Sequence, residues 1–312
     1  MNFQEAGQFS NFPSYFVWSY GISSQADVAP FQDLLSFMTN YNPAAKDCVF
    51  HHPYSNIEGS KLVWLDPTML PNFVQKVLPT LREPVFLIVN NSDHAFPSVL
   101  TLEERSCLMN HPHIAHIFVQ NCDLMSPHKK LTLIPIGLDY HTLVKNGESV
   151  EDQERQLENI LRVSLPTYQR IPKIFVDFQH NDTSGQRKTI FNRILRSGLV
   201  DYFSELVNRE TLWRQKSQYA FSVSPHGNGL DCHRTWEDLI LGCIVIVKTS
   251  SLDELYEGLP VVIVQDWEEV CPKNLCIWLE QYGDAFTNPK YREKLTNRYW
   301  VERIRNIMRE LK

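Results

Sequence analysis

The sequence predicts an α/β protein of two domains, each built on a parallel sheet. Three observations carry this. Apolar runs of strand length alternate with longer segments of helical period. The runs are hydrophobic throughout rather than at every second position, as strands buried on both faces are. The alternation stops at a charged helical stretch and a proline, Pro166, and then starts again. A chain of 312 residues has the length of two ordinary domains.

In the first half the expected strands are Pro84 to Val89, Ile114 to Gln120 and Leu131 to Ile136, with helices at Phe31 to Met38, Met69 to Leu78 and Leu102 to Met109. The segment from Val150 through Leu161 is charged and helical in period, and Leu165-Pro166-Thr167 breaks it. This places a first domain at residues 1–165 and a second at 166–290. The second domain opens with strand Lys173 to Phe178 and continues with helices Gln186 to Arg196 and Glu210 to Gln218 and strand Tyr219 to Val223. Helix Asp231 to Leu241 and strands Cys243 to Val247 and Pro260 to Val264 follow. Between Asn288 and Lys312, Leu295, Tyr299, Val301, Ile304 and Ile307 recur near helical spacing, so a terminal helix over 291–312 is expected to return toward the first domain.

Charge and cysteine content narrow the function. Lys and Arg number 30 against 36 Asp and Glu, a net charge of −6, which argues against a general nucleic-acid binder because phosphate-backbone affinity needs clustered cations. No run of apolar residues has the length of a membrane span, and Met1 to Ser10 lack a basic then apolar leader pattern, so a cytoplasmic location is expected. Seven scattered cysteines imply no disulfide framework, and Cys271-x4-Cys276 lacks the second pair a zinc site needs. His51-His52 and His111-Pro-His113 have no carboxylate or Cys at ligand spacing and are taken as structural or surface residues; no metal ligand is assigned.

The chemistry concentrates in Phe221 to Val247, which reads strand, loop, helix, turn, strand. Gly227 and Gly229 flank Asn228 just before the helix, in a chain with only 12 glycines, and suit a loop made for close backbone approach to a phosphate or ribose. Asp231 is the expected N-cap, and the helix start favours an anion. Arg234 and Glu237 share one face three residues apart, as a guanidinium for a diphosphate and a carboxylate for ribose hydroxyls. An ordinary surface ion pair of Arg234 with Glu237 or Asp238 is the alternative.

The pattern Pro225-His-Gly-Asn-Gly-x-Asp-x-x-Arg-x-x-Glu-x-x-x-x-Gly-Cys-Ile-Val-Ile resembles the donor-site signature of exostosin-like glycosyltransferases, with Val245 standing where that family often has Pro. The resemblance implies a GT-B architecture of two facing Rossmann-like domains with parallel sheets, acceptor in the first and nucleotide-sugar in the second. It implies donor contacts from His226, Gly227, Asn228, Gly229, Asp231, Arg234 and Glu237. It also implies an arginine on the donor phosphates after the first strand of the second domain, where Arg187, then Lys188, are the candidates. The Ser/Thr/Gly content of residues 179–188 is independently that of an anion nest, a solvated basic helix start being the alternative.

No Asp-x-Asp motif of the kind that holds a diphosphate through a divalent metal occurs in the chain. Cations and a helix start are then expected to meet the leaving-group charge, with a UDP- or GDP-sugar as donor, no separate cofactor, and a glycan or glycoconjugate as acceptor. The polar exit Val89 to Pro97 offers Asp93, then His94, as the base for the acceptor, or else Asp93 is a turn or helix cap. A second exit, Pro135 to His141, also turns polar groups toward the expected cleft. Phe12, Tyr15, Phe16, Trp18 and Tyr20 either stack on sugar or fill the core. A non-catalytic glycan- or nucleotide-binding protein of the same fold is the rival reading. A nucleotide-sugar epimerase is disfavoured, since no Gly-x-Gly-x-x-Gly follows the first strand.

Overall fold

The computed structural model describes residues 14–39, 54–55, 57, 59, 61–126, 128–178 and 185–311. Phe12, His51 and His52 lie outside them, as does the loop 179–184. Two parallel sheets form, one in each half. The first half runs α1 (Ser19–Ser23), α2 (Leu34–Thr39), β1 (Leu62–Leu65), a mixed helical segment containing α3 (Leu70–Asn72), β2 (Val85–Val89), α4 (Leu102–Asn110), β3 (Ile114–Val119), β4 (Leu131–Leu133), α5 (Tyr140–Lys145) and α6 (Val150–Val163). The second runs β5 (Ile171–Val176), α7 (Gln186–Leu195), β6 (Val200–Tyr202), α8 (Arg209–Lys216), β7 (Tyr219–Val223), α9 (His233–Leu241), β8 (Ile244–Lys248), β9 (Val261–Val264), α10 (Pro272–Tyr282), α11 (Pro289–Glu293) and α12 (Asn297–Glu310).

The two sheets differ in winding. The first has strand order β1-β2-β3-β4 and the second β6-β5-β7-β8-β9, every pairing parallel. The second order is that of a doubly wound sheet, which reverses direction between β5 and β7. In such sheets the connections diverge at that point and leave a crevice beyond the carboxyl ends of the two strands. Burial on both faces is visible along β8: Ile244 and Ile246 belong to one apolar cluster, while Val245 and Val247 belong to the cluster that continues through α9 into the first half.

Local chemistry explains the element ends. Thr101 and Glu104 make a capping box on α4, Ser149 caps α6, and Gly242 ends α9 in the left-handed region at φ 85°. The helix expected at Met69 to Leu78 is instead a chain of short 3-10, α and π turns, with Pro71 lacking a donor inside it and Pro67 and Pro79 flanking it. The terminal helical stretch is divided at Lys294 to Thr296, where Thr296 caps α12. There the chain lies beside its own beginning: Val17 donates to the Leu295 carbonyl (3.0 Å), and Asn297 donates to the carbonyls of Tyr15 and Ser14, both at 3.0 Å. Tyr15 packs on the core, and Phe16, Trp18 and Tyr20 are buried in it.

Candidate functional site

Four pieces of chain meet beyond the carboxyl ends of β5 and β7. Asp177 and Phe178 leave β5; Ser224 to Gly229 leave β7; Arg187 sits in the first turn of α7; and Arg234 and Glu237 lie on α9. Arg187 is buried, its Nε donating to the carbonyl of His226 at 3.0 Å, so it is no solvated helix start. Lys188 beside it is exposed. A Cβ on Gly227 would stand 2.6 Å from Arg187 Nη2, so the guanidinium end occupies the space that a side chain here would take. The loop closes on itself through Gly227 N–H to the Gly229 carbonyl (3.0 Å), leaving Asn228 exposed at its tip.

Arg234 does not pair with Glu237 or Asp238. Its Nε is 2.8 Å from Asp177 Oδ1, a close ion contact without hydrogen-bond alignment, and its guanidinium lies over the Phe178 ring at 5.6 Å. Burial works against the charge on Arg234, but Asp177, helped by Cys232, Asp238 and Glu237, more than restores it and raises its pKa. Its Nη1 is buried without a hydrogen-bond partner among the described residues. Glu237, one turn on, is also buried, at 8% exposure. A cationic nitrogen lacking an acceptor and a carboxylate on the next turn suit a bound anion with hydroxyls attached.

Beneath them lies a buried charge cluster that sequence pattern does not reveal. Lys216, fully buried at the end of α8, reaches Asp177 (2.7 Å) and Asp238 (2.5 Å), and Asp238 also accepts from Ser222. Burial opposes the ammonium charge, yet the two carboxylates outweigh it and the Lys216 pKa is raised. Asp177 is thereby held between Lys216 and Arg234, so the cluster fixes the arginine from below.

Asp231 departs from its expected role. Cys232 occupies the N-cap position and α9 begins at His233. The Asp231 carboxylate is buried and turned toward the first half, accepting from Ile136 N (2.8 Å), Cys232 N (3.0 Å) and Trp236 Nε1 (2.9 Å). It is engaged in joining the halves. Burial outweighs these donors and pushes its pKa up to about 6. Asn121, in the left-handed region at φ 52° after β3, accepts from Asp231 N (2.8 Å) and donates to the Ser92 carbonyl (2.8 Å). The exit loop of β2 is thus tied to the glycine loop.

Asp93 and His94 are exposed on that exit loop, and His94 N–H donates to Ser92 Oγ at 3.3 Å. Asp93 caps no helix among the described residues. The second exit, after β4, is more ordered: Asp139 caps α5, its Oδ1 lies 3.1 Å from His141 Nδ1, and its Oδ2 lies 3.1 Å from Arg209 Nη2. Burial disfavours the Asp139 charge, but His233, His141, Thr142 and Arg209 bring its pKa down to about 2. Burial keeps His141 neutral, its pKa down to about 4. His111 and His113 sit with ring centroids 5.5 Å apart.

The structure is thus one of two parallel-stranded α/β halves, the second doubly wound with Arg187 and Arg234 at its switch point. No family model and no curated protein sequence matches the chain. Among solved structures it is similar in chain course to an α,α-trehalose-phosphate synthase (UDP-forming) from Burkholderia vietnamiensis, at 10% identity and a TM-score of 0.46 over 89% of this chain and 76% of that one. The α,α-trehalose 6-phosphate synthase of Burkholderia multivorans gives 11% and 0.44 over 91% and 78%. Sucrose-phosphate synthase of Thermosynechococcus elongatus gives 13% and 0.44 over 97% and 86%. No helix of the described residues is long and apolar enough to cross a membrane.

Proposed function

We propose that the protein is a glycosyltransferase of the GT-B type, exostosin-like in its donor loop, which moves a sugar from UDP or GDP to a hydroxyl of a glycan or glycoconjugate in the cytoplasm. What supports the reading is that Arg187 and Arg234 stand at the β5/β7 switch, with Glu237 one turn along α9 from Arg234, beside a glycine loop closely packed on Arg187 and Asn121. Arg187 and Arg234 take up the charge of the departing diphosphate, so no metal is needed on it. Glu237 holds the ribose hydroxyls. Because Lys216 and Asp177 lock Arg234 before any ligand arrives, little reorganisation opposes the reaction. If the reaction inverts configuration, Asp93 on the exit loop of β2 takes the proton of the acceptor hydroxyl.

The test is thermal-shift and calorimetric titration with uridine, guanosine and cytidine diphosphates. One of them stabilises the wild-type chain, and Arg234→Ala and Glu237→Ala each weaken that binding. The reading fails if no nucleotide binds, or if both variants bind as wild type. The exposure of Asp93, with no cap role to hold it, keeps one rival in view, a glycan- or nucleotide-binding protein without turnover. That rival predicts nucleotide binding but no donor consumption, and indifference to Asp93→Asn.

A further inference from the structure

We propose that Asp139, His141 and His233 form a binding site for a divalent transition-metal ion of the zinc class at the junction of the two halves. Each residue offers one ligand atom, and the three atoms lie within 4.8 Å of one another. Asp139 Oδ1 and His141 Nδ1 are 3.1 Å apart, the spacing of neighbouring ligands on one cation with bonds of about 2.0–2.2 Å. The ring of His233 lies beside that of His141, with centroids 5.5 Å apart and planes tilted by 59°. Small side-chain rotations therefore bring all three ligand atoms to bonding distance.

The surroundings are those of a metal site. His233 Nδ1 lies 2.7 Å from the carbonyl of Gly137, which can only accept, so Nδ1 carries the proton and Nε2 keeps its lone pair for a ligand. The second oxygen of Asp139 is held by Arg209 Nη2 at 3.1 Å, and Thr142 N–H donates to the first at 3.0 Å, so the carboxylate is oriented from outside. Two imidazoles and a carboxylate match the borderline preference of zinc and leave one position for water. Asp139 and His141 belong to the first half and His233 to the first turn of α9, so a bound ion cross-links the halves. The next residue, Arg234, turns to Asp177 instead, and the site stands independently of the diphosphate reading.

The experiment uses the full chain, stripped by a chelator, dialysed and titrated with zinc chloride by calorimetry, with melting followed in parallel. One equivalent binds and raises the melting temperature. His141→Ala and His233→Ala each weaken binding by more than about tenfold. His113→Ala, which removes the other histidine pair, leaves it unchanged. Should His233→Ala fail to fold for want of its bond to Gly137, His141→Ala decides, since its side chain is 29% exposed and its removal opens no core. Absence of stoichiometric uptake, or uptake unchanged in His141→Ala, overturns the proposal; nucleotide binding by the same samples reports separately on the donor site.

Discussion

Asn121 fills the space that a side chain on Gly229 would need: a Cβ built there stands 2.7 Å from Asn121 Nδ2. The glycine is therefore a packing requirement of the junction, where Asn121 holds Ser92 of one half and Asp231 of the other. Gly229→Ala is expected to displace Asn121 and break both bonds. At about 1 kcal/mol net for each, the variant loses about 2 kcal/mol of stability by denaturant titration. Asn228→Ala at the exposed tip leaves the stability in the same titration unchanged.

Gly227 has the same relation to Arg187, at 2.6 Å from Nη2. Here the neighbour is the end of a flexible side chain, so Gly227→Ala should shift the guanidinium rather than unfold the loop. The expected result is a nucleotide affinity lower by about tenfold, equivalent to about 1.4 kcal/mol, with a nearly unchanged melting temperature. Loss of folding together with affinity would contradict this reading of the loop.

Lys216, itself fully buried, is the counter-charge of the fully buried Asp238 and of the nearly buried Asp177. Lys216→Met keeps the apolar stem and removes the ammonium, leaving Asp238 with Ser222 alone and Asp177 with Arg234. Breaking one side of a buried pair costs about 3–5 kcal/mol. The double variant Lys216→Met/Asp238→Asn should recover part of it, because the orphaned charge is gone. Equilibrium denaturation of the two variants measures the difference.

How much of this was legible in the sequence depends on the range of the interaction concerned. Strands such as β2, β3, β7 and β8 announce themselves because both faces are buried and all but one residue at most, His116, Ser222 or Lys248, is apolar. β1 and β6 are not among the expected strands; in β6 only Val200 of three residues is buried, so no apolar run marks it. The glycine loop, Arg187 and Arg234 are readable as a local strand-loop-helix pattern. What they lean on is not: Asn121 meets Asp231 across 110 residues, and Lys216 meets Asp177 across 39. Asp231 shows the consequence. Its position before a helix suggests a cap, and only the arrival of Ile136 from the other half makes it a strut.

Glu154 supplies a pH signature for the packing of the chain's beginning on α6. Its Oε1 accepts from Tyr15 N (2.7 Å), Phe16 N (3.1 Å) and Tyr140 Oη (2.8 Å). Burial outweighs these donors and raises its pKa from 4.5 to about 7. A raised folded-state pKa means that the folded protein holds the proton more tightly than the unfolded chain. The associated stability is complete below pH 4.5, declines as the unfolded chain ionises, and is gone once the pH passes about 7. Its size is on the order of 3 kcal/mol. Glu154→Gln keeps an acceptor for all three donors and cannot ionise. Denaturation at pH 5 and pH 8 should therefore show a drop in stability for wild type that is smaller in the variant by this amount. Equal drops in the two proteins would mean that Glu154 is ionised in the fold, and that its three donors, not burial, set its charge.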